Sequence, residues 1–394
     1  MNITQSIEFL TEFDINLTAQ QWEQNRNKTV IVGMSGGVDS SVCAILMKLQ
    51  GYNTIGMFMR NWEEKGEDGT CTSELDYQDV IKVCEQIDIP YYAVNFSQEY
   101  REGVFNHFLS EYKKGNTPNP DILCNREIKF KVFFEKAMDF GADFLVTGHY
   151  CQNQIKQDRS YLVKGRDTNK DQTYFLYTMQ EQVLKKVLFP IGHLEKKQVR
   201  ELASRFDLAT QAKKDSTGIC FIGERNFKEF LSQYIQSQQG DFIHLESKRA
   251  MGKHDGACYY TCGQRKGLGL GGPGGPWFVA DKNIEDNSVY VVEGEHHPAL
   301  YTDSLIANEV HWITEIPSFP LQCQAKVRYR QADQECVVEL NADQELVVSF
   351  KQPQRAIAVS QAIVFYQDDI CLGGATIKSK SESYFELKKE LPVF

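Results

Sequence analysis

The chain has 394 residues, of which 42% are hydrophobic and 12% aromatic, and this length predicts two or three domains with cores of their own. The formal net charge of -10 argues against a uniformly basic surface and leaves only local basic clusters for contacts with nucleic-acid phosphates. Because no apolar run approaches about 20 residues and the 11 cysteines occur without secretory features, we expect a cytoplasmic protein with free thiols and no membrane segment.

The first 26 residues carry acidic side chains at Glu8, Glu12, Asp14 and Glu23. Mitochondrial transit peptides are rich in arginine and poor in acids, so this stretch does not match one. We predict a helical extension or a tail at residues 1–26.

Residues 27–220 alternate short β-rich runs with helical periodicity. Strands are predicted at 29–32, 54–58, 91–96 and 144–147. The first helix is predicted to follow Ser40 and to stop at Gly51, a residue suited to the left-handed cap. This alternation predicts an α/β domain built on a doubly wound parallel sheet.

The strongest motif is Ser-Gly-Gly-Val-Asp-Ser at residues 35–40, between the first predicted strand and the first predicted helix. Two glycines let the backbone approach an anion, and the helix N-terminus adds unpaired N–H groups and a favourable dipole. Because the Gly-Lys-Ser/Thr ending of a Walker loop is absent, transfer of a γ-phosphoryl group is not expected. The motif resembles the pyrophosphatase (PP) loop of enzymes that split ATP between the α and β phosphates and adenylate a carbonyl oxygen. We therefore predict a site for ATP, bound as its Mg²⁺ complex.

Two cysteines lie in segments that are predicted to be loops. Cys124 follows a proline-containing stretch and precedes a predicted basic helix. The helix N-terminus, Arg126 and Lys129 are expected to favour its thiolate, whereas the acidic Glu127 opposes it. Cys220 follows a glycine turn in a second loop. Most of the remaining thiols are predicted to be packing residues, and no metal site is expected.

The second half of the chain changes in composition. A helix is predicted around residues 194–203, and glycine-rich turns follow at 267–275. Alternating patterns then predict strands through Ala325, Val327 and Tyr329 and through Cys336, Val338 and Leu340. We predict a central adaptor domain at 221–298, a small antiparallel β-barrel at 299–380, and a tail at 381–394.

Several long motifs occur in a fixed order along the chain. They are the loop at 35–40, Pro-Asn-Pro-Asp-Ile-Leu-Cys-Asn at 118–125, Ser-Thr-Gly-Ile-Cys-Phe-Ile-Gly-Glu-Arg at 216–225, and shorter segments at 56–62, 147–150, 169–176 and 263–268. In these motifs the chain resembles the tRNA 2-thiouridylase (MnmA/TrmU) family over roughly residues 27–378.

The resemblance implies ATP-dependent 2-thiolation of the wobble uridine of tRNA. The uracil C2 oxygen would be adenylated, and sulfur would come from a persulfide on Cys220, with release of AMP and diphosphate. Cys124 would then attack the bridging state and leave a Cys124–Cys220 disulfide, while Asp121 would handle a proton. The sulfur would be supplied by a persulfide-donating relay protein or a cysteine desulfurase.

The same resemblance assigns residues to the two substrates. For ATP they are Gly33, Met34, Ser35, Gly36, Gly37, Val38, Asp39, Ser40, Met59 and Gly148. For tRNA they are Asn119, Pro120, Asp121, His149, Lys170, Asp171, Gln172, Arg328, Tyr329 and Gln361. Before Gln361 the chain has Ala-Val-Ser where the family more often has Thr-Pro-Gly, a departure at this one contact.

Two other functions compete with this interpretation. One is a ligase of the same ATP class that acts on a small molecule, which would need no paired loop cysteines. The other is a non-catalytic RNA-binding protein whose barrel binds RNA and whose phosphate loop is vestigial. Release of AMP and diphosphate, and the dependence of turnover on tRNA, distinguish the three.

Overall fold

The structure is a computed structural model that describes residues 1–62, 72–215, 227–271 and 274–392. Its α-helices are α1 (Ile3–Thr11), α2 (Ala19–Asn25), α3 (Val38–Leu49), α4 (Thr72–Gln86), α5 (Ser97–Tyr100), α6 (Asn106–Lys113), α7 (Pro120–Leu123), α8 (Phe134–Asp139), α9 (Glu181–Leu184), α10 (Lys196–Arg205) and α11 (Phe227–Ser232). π-helical segments occur at Arg101–Phe105 and Cys124–Phe133, and 3₁₀ turns at Thr173–Phe175, Ala257–Tyr259 and Pro298–Leu300. Each helix of the described residues is too short or too polar to cross a membrane.

The strands, in chain order, are β1 (Thr29–Met34), β2 (Asn53–Arg60), β3 (Tyr91–Asn95), β4 (Phe144–Val146), β5 (Cys151–Lys156), β6 (Arg159–Lys164), β7 (Val187–Leu188), β8 (Gly240–His244), β9 (Ala250–His254), β10 (Trp277–Asn283), β11 (Ser288–Glu293), β12 (Tyr301–Trp312), β13 (Leu321–Lys326), β14 (Gln334–Leu340), β15 (Leu346–Arg355), β16 (Ala362–Gln367) and β17 (Ile370–Lys380).

The chain divides into two compact units. The first comprises Met1–Val104, Asp121–Glu224 and Asp369–Leu372, and the second comprises Phe105–Pro120, Arg225–Asp368 and Gly373–Phe394. The narrower domain boundaries expected from the sequence stay a prediction.

A parallel five-stranded sheet forms the centre of the first unit, in the order β3-β2-β1-β4-β7. Its middle strand β1 has the consecutive buried residues Val30, Ile31 and Val32, as expected for a strand covered on both faces. Each predicted strand of this sheet is present with its ends shifted by at most two residues. The predicted α/β fold with a doubly wound parallel sheet is confirmed.

Residues 1–26 are part of the core of the first unit. They form α1 and α2, and the buried side chains of Leu10 and Phe13 pack in the same apolar cluster as α3 and α10. The Trp22 indole N–H donates to the carbonyl of Leu49 at 2.9 Å. The helical alternative for this stretch is therefore correct.

Two unrelated β-structures make up most of the second unit. One is a four-stranded sheet in the order β10-β11-β8-β9. The other is an antiparallel barrel in the order β12-β15-β14-β13-β16-β17, closed by pairing of β12 with β17. The predicted C-terminal barrel is confirmed, but the strand expected to run through Tyr329 ends at Lys326, because the chain turns at 327–330 instead of continuing the alternation.

The predicted position of Cys124 ahead of a helix is wrong. A helical run begins at Pro120, continues through Cys124–Phe133 and ends with α8, so Cys124 is inside it. Proline is favoured in the first helical turn, where its missing N–H has no acceptor in any case. Pro120 therefore begins the helix that the sequence placed several residues later. α3 also begins earlier than expected, at Val38, with Gly37 as its N-cap.

Candidate active site

The loop at residues 35–37 lies where the order of the parallel sheet reverses. β1 pairs with β2 on one side and with β4 on the other, so the strand order changes direction at β1. Such a switch point opens a crevice at the carboxyl ends of the strands. The loop after β1 and Gly148, which follows β4, both border this crevice, and Met59 lies at the end of the neighbouring β2.

Hydroxyl groups hold the loop in shape. Ser40 Oγ accepts the backbone N–H of Ser35 at 3.1 Å and lies 3.2 Å from Ser35 Oγ. The hydroxyls of Ser40 and Ser41 both donate to the carbonyl of Gly37, at 3.2 and 2.8 Å. Because Gly37 has no side chain to cap α3, the N–H groups of the first helical turn remain available to an anion.

Two glycines allow close approach of the backbone at this loop. Gly36 has a φ of +73°, and a Cβ on it would lie 2.5 Å from the carbonyl oxygen of Asp76. A Cβ on Gly148 would lie 3.2 Å from the backbone of Asp39 and Ser40. Only glycine satisfies the positive φ and the short distance at position 36.

A chain of charged groups runs from the loop to Asp215. Asp39, in the first turn of α3, accepts the Tyr150 hydroxyl at 2.8 Å and the Lys196 ammonium at 2.7 and 2.9 Å. Lys196 also lies 2.9 Å from Asp215 Oδ1. Burial raises the pKa of Tyr150, and the nearby carboxylate of Asp39 raises it further, so the hydroxyl remains a donor at neutral pH.

Asp215 is held by three cations. Besides Lys196, it accepts Lys170 at 2.7 Å and Arg200 at 2.6 Å, while the Arg200 guanidinium also donates to the carbonyl of Lys213. Burial by itself would raise the pKa of Asp215, but the hydrogen bonds from Lys170 and Lys196 hold it well below its usual range. Cys220, five positions further on, lies outside the described residues, so its predicted pairing with Cys124 stays a prediction.

Cys124 and Asp121 share one helical run. The Cys124 side chain is buried, with 2% of the residue exposed. Burial raises the pKa of Asp121, and the positive charge of Lys129 opposes this shift. A carboxyl group with a raised pKa can hold a proton closer to neutral pH, which suits an acid or base in a reaction.

Known protein families match nearly the whole chain. The family described as "tRNA methyl transferase HUP domain" matches residues 28–224, "tRNA methyl transferase PRC-barrel domain" matches 228–293, and "Aminomethyltransferase beta-barrel domain" matches 302–377. A relative named tRNA-specific 2-thiouridylase MnmA from Protochlamydia amoebophila is 59% identical over 366 residues, which are 93% of this chain and 97% of the relative. The chain belongs to the tRNA-specific 2-thiouridylase family.

Relatives in other bacteria support the same family. The tRNA-specific 2-thiouridylase MnmA of Halalkalibacterium halodurans is 55% identical, over 92% of this chain and 96% of the relative. That of Staphylococcus carnosus is 57% identical, over 90% and 96%. The word "methyl" in two family descriptions names a different group transfer, and the relatives matched over nearly their full length decide the assignment.

In this 2-thiouridylase family member, the predicted tRNA residues of the first unit make intramolecular contacts. His149 is buried beside Phe130, with Nδ1 2.9 Å from the Thr147 hydroxyl, and burial followed by the charge of Lys129 lowers its pKa well below the usual value. The carboxylate of Asp171 accepts the hydroxyl of Thr173. Their roles in tRNA binding stay predictions.

The neighbouring residues Lys170 and Gln172 support the charged chain described above. Lys170 binds Asp215, and the Gln172 side chain accepts the backbone N–H of Tyr150 at 2.9 Å. The segment predicted to contact tRNA therefore also fixes the position of Tyr150 next to Asp39.

The remaining predicted tRNA residues belong to the second unit, except Asp121. Arg328 is exposed in the turn between β13 and β14, with Tyr329 half-buried beside it. Gln361 donates through Nε2 to the carbonyl of Thr117 at 2.5 Å, which links a barrel turn to the stretch that leads to Asn119 and Pro120.

Sequence reasoning missed Lys196, Arg200 and Asp215. Lys196 and Arg200 are in a stretch rich in Lys, Gln and Glu, and Asp215 follows two lysines, so nothing local distinguishes these three residues from solvent-exposed ones. Lys196 meets Asp39 across 157 positions, a contact that only the tertiary fold produces. One signal could have located Lys196. In a doubly wound fold the first turn of a helix lies near the carboxyl ends of the strands, and Lys196 is near the start of the helix predicted around 194–203.

Proposed function

We propose that this protein transfers sulfur to C2 of the wobble uridine of tRNA in a reaction driven by ATP. ATP activates the uracil O2 by adenylation, and diphosphate and AMP are released. The observation that carries the proposal is the serine- and glycine-rich loop at 35–40, at the switch point of a parallel sheet, in a chain of the 2-thiouridylase family.

The loop geometry supports binding of the ATP phosphates. The uncapped N-terminus of α3 offers backbone N–H groups, and the hydroxyl of Ser35 is exposed beside them. Asp39 is held by Lys196 and Tyr150, so its carboxylate does not repel an incoming phosphate with a full unpaired charge. Mg²⁺ would accompany ATP as its complex, and its charge would offset that of the diphosphate leaving group.

Adenylation makes a difficult substitution possible. The C2 carbonyl of uracil is a weak electrophile and its oxygen is a poor leaving group. Attack of O2 on the α-phosphorus releases diphosphate and converts O2 into part of an AMP leaving group. The terminal sulfur of a Cys220 persulfide then adds to C2, and AMP departs.

The second thiol completes the transfer. In the bridge, Cys220 Sγ is bonded to the transferred sulfur, which is bonded to C2. Cys124 attacks Cys220 Sγ, which leaves the transferred sulfur on C2 and forms a Cys124–Cys220 disulfide. Asp121, whose pKa is raised by burial, is a proton carrier on the same helical run. An external reductant then restores both thiols, and a relay protein or cysteine desulfurase supplies the next persulfide.

The test is reconstitution with unmodified tRNA, ATP, Mg²⁺ and a persulfide source, followed by mass analysis of the nucleosides. We expect 2-thiouridine at the wobble position, with one AMP and one diphosphate for each sulfur transferred. Cys220→Ser should abolish thiolation and retain tRNA binding, whereas Cys258→Ser, which removes another thiol, should thiolate normally. Formation of 4-thiouridine, or full thiolation by Cys220→Ser, would contradict the proposal.

The two competing functions give different results in the same assay. A small-molecule ligase would release AMP and diphosphate without tRNA once its own substrate is present. A non-catalytic RNA-binding protein would bind tRNA and release neither product.

A further inference from the structure

Two thiols of the barrel face each other across neighbouring strands. Cys323 on β13 is directly opposite Cys336 on β14 in the antiparallel register, and the two Sγ atoms are 3.7 Å apart. Both thiols are free in the structure. Neither cysteine has a part in the proposed sulfur transfer.

The backbone already has the geometry that a disulfide requires. Directly opposed residues of an antiparallel pair have Cα atoms roughly 4.5 to 5.5 Å apart, and disulfides span Cα separations of about 4.4 to 6.8 Å. The ladder is regular on both sides, with Gln322 opposite Val337 and Gln324 opposite Glu335. A bond between the sulfurs therefore needs a change of side-chain torsion and no change of register.

The two thiols differ in access to solvent. Cys336 is buried, with 4% of the residue exposed, whereas Cys323 is half-buried. The contact with Cys323, followed by burial, raises the pKa of Cys336 well above its usual range. Cys323 is thus the thiol that a small oxidant reaches, and Cys336 is the neighbour that holds its proton until the second step.

We propose that Cys323 and Cys336 are a redox-active dithiol that forms a reversible cross-strand disulfide with low-molecular-weight disulfides of the glutathione type. The Cys323 thiolate attacks one sulfur of the oxidant, which forms a mixed disulfide and releases one thiolate. Cys336 loses its proton to solvent and attacks the Cys323 sulfur, which closes the protein disulfide and releases the second thiolate. The two thiol protons of the protein end on the two released thiols, so atoms and electrons balance.

The disulfide would link the two strands of the β13–β14 hairpin close to its turn. Only two residue pairs separate Cys323 and Cys336 from the turn at 327–333, which carries Arg328 and Tyr329. That turn is ordered by the Val327 N–H, which donates to the Gln331 side chain at 2.9 Å. A disulfide restrains opening of this hairpin, and the significance of that restraint for tRNA binding rests on the proposed function.

The experiment is oxidation of the full-length reduced protein with oxidised glutathione, followed by alkylation, trypsin digestion and peptide mass analysis. Trypsin cuts after Lys326, Arg328 and Arg330, so a Cys323–Cys336 bond appears as two joined peptides. We expect this species as the main barrel product, reversed by dithiothreitol. It should be absent in Cys323→Ser and in Cys336→Ser and retained in Cys371→Ser, a matched change at another buried barrel-strand thiol.

A second measurement distinguishes a disulfide between Cys323 and Cys336 from two thiols that only pack against each other. Amide hydrogen exchange in residues 327–333 should slow by about tenfold on oxidation of the wild type and remain unchanged in Cys336→Ser. A persistent glutathione adduct on Cys323, or an unreacted pair, would overturn the proposal. Cys323→Ser should thiolate tRNA at the wild-type rate when reduced, so the proposed function and the dithiol can fail independently.

Discussion

Lys196 lies between two carboxylates, 2.7 Å from Asp39 and 2.9 Å from Asp215, with 14% of its side chain exposed. Lys196→Met would leave these partly buried carboxylates facing each other without their shared cation. We expect a loss of about 2 kcal/mol in unfolding free energy, below the full cost of breaking a buried pair because both acids are partly solvated. The KM for ATP should rise about tenfold, since Asp39 is in the first turn of α3.

The neighbouring Lys197 provides the matched control for this change. It is on the same helix and is exposed, so Lys197→Met should alter neither denaturant unfolding nor the KM for ATP. Equal behaviour of the two variants would show that the Asp39–Lys196–Asp215 contacts do not organise the loop.

Gly36 permits a second test at the residue scale. Gly36→Ala adds a Cβ that would lie 2.5 Å from the Asp76 carbonyl oxygen, at a φ of +73°. Gly141 has a similar φ of +84°, and a Cβ added there would meet no atom within 4 Å, so Gly141→Ala isolates the backbone strain of about 1 kcal/mol. We expect Gly36→Ala to cost clearly more stability and to raise the KM for ATP at least about tenfold. Matching stability losses would mean that the close approach to Asp76 is relieved without cost.

At the scale of elements, the sequence predicts what local physics determines. β1 is recognisable because three consecutive apolar residues require cover on both faces, and α3 because its apolar positions recur with helical spacing. The start of the helix at Pro120 was missed because proline and asparagine also favour loops. The end of β13 at Lys326 was missed because Val327 and Tyr329 continue the alternation in a stretch that turns.

The candidate site also has one part that the sequence predicts and one part that only the tertiary fold produces. The loop at 35–40 is contiguous in the sequence, so its glycines and serines could be interpreted together. Asp39, Lys196 and Asp215 come from three separate segments, and their association follows from the topology of the sheet. Contacts of this kind carry no local sequence pattern.

Helix α6 permits a prediction about pH. Glu111, near its end, accepts Lys114 at 2.7 Å, Ser360 at 2.7 Å and Asn116 at 2.8 Å. Burial would raise the pKa of Glu111, but these hydrogen bonds lower it to about 2 from 4.5. A depressed carboxyl pKa stabilises the folded state above the unfolded pKa, and this contribution is lost as the pH falls from about 4.5 toward about 2.

The measurement is the midpoint of thermal unfolding between pH 6 and pH 3 for the wild type and Glu111→Gln. We expect the variant to be less stable near pH 6 and the difference to shrink as the pH falls. Glu339→Gln, a change of an exposed barrel glutamate, should follow the wild type throughout. A difference that stays constant with pH would assign the role of Glu111 to packing alone.

At the scale of the whole molecule, an acidic protein has to bind an anionic substrate. With a formal net charge of -10, affinity for tRNA depends on local cations that displace counterions. We expect tRNA binding to weaken steeply between low and physiological salt. Arg328→Ala should reduce the slope of log affinity against log salt by about 1, and Arg249→Ala, an exposed arginine of the central sheet region, should leave it unchanged. Salt-independent binding would exclude a phosphate-contacting surface.

Substitutions within residues 1–26 test whether this N-terminal extension contributes to the stability of the first unit. Leu10 is fully buried in the cluster that contains Val42, Leu46 and Leu202, so it packs against the helices that begin with the phosphate loop and with Lys196. Leu10→Ala should therefore cost about 2 to 5 kcal/mol of unfolding free energy, the range for truncating a buried leucine. Glu8→Ala, an exposed change on the same helix, should cost less than about 0.5 kcal/mol. If both variants unfold at the wild-type denaturant concentration, the extension adds nothing to the stability of the unit that binds ATP in our proposal.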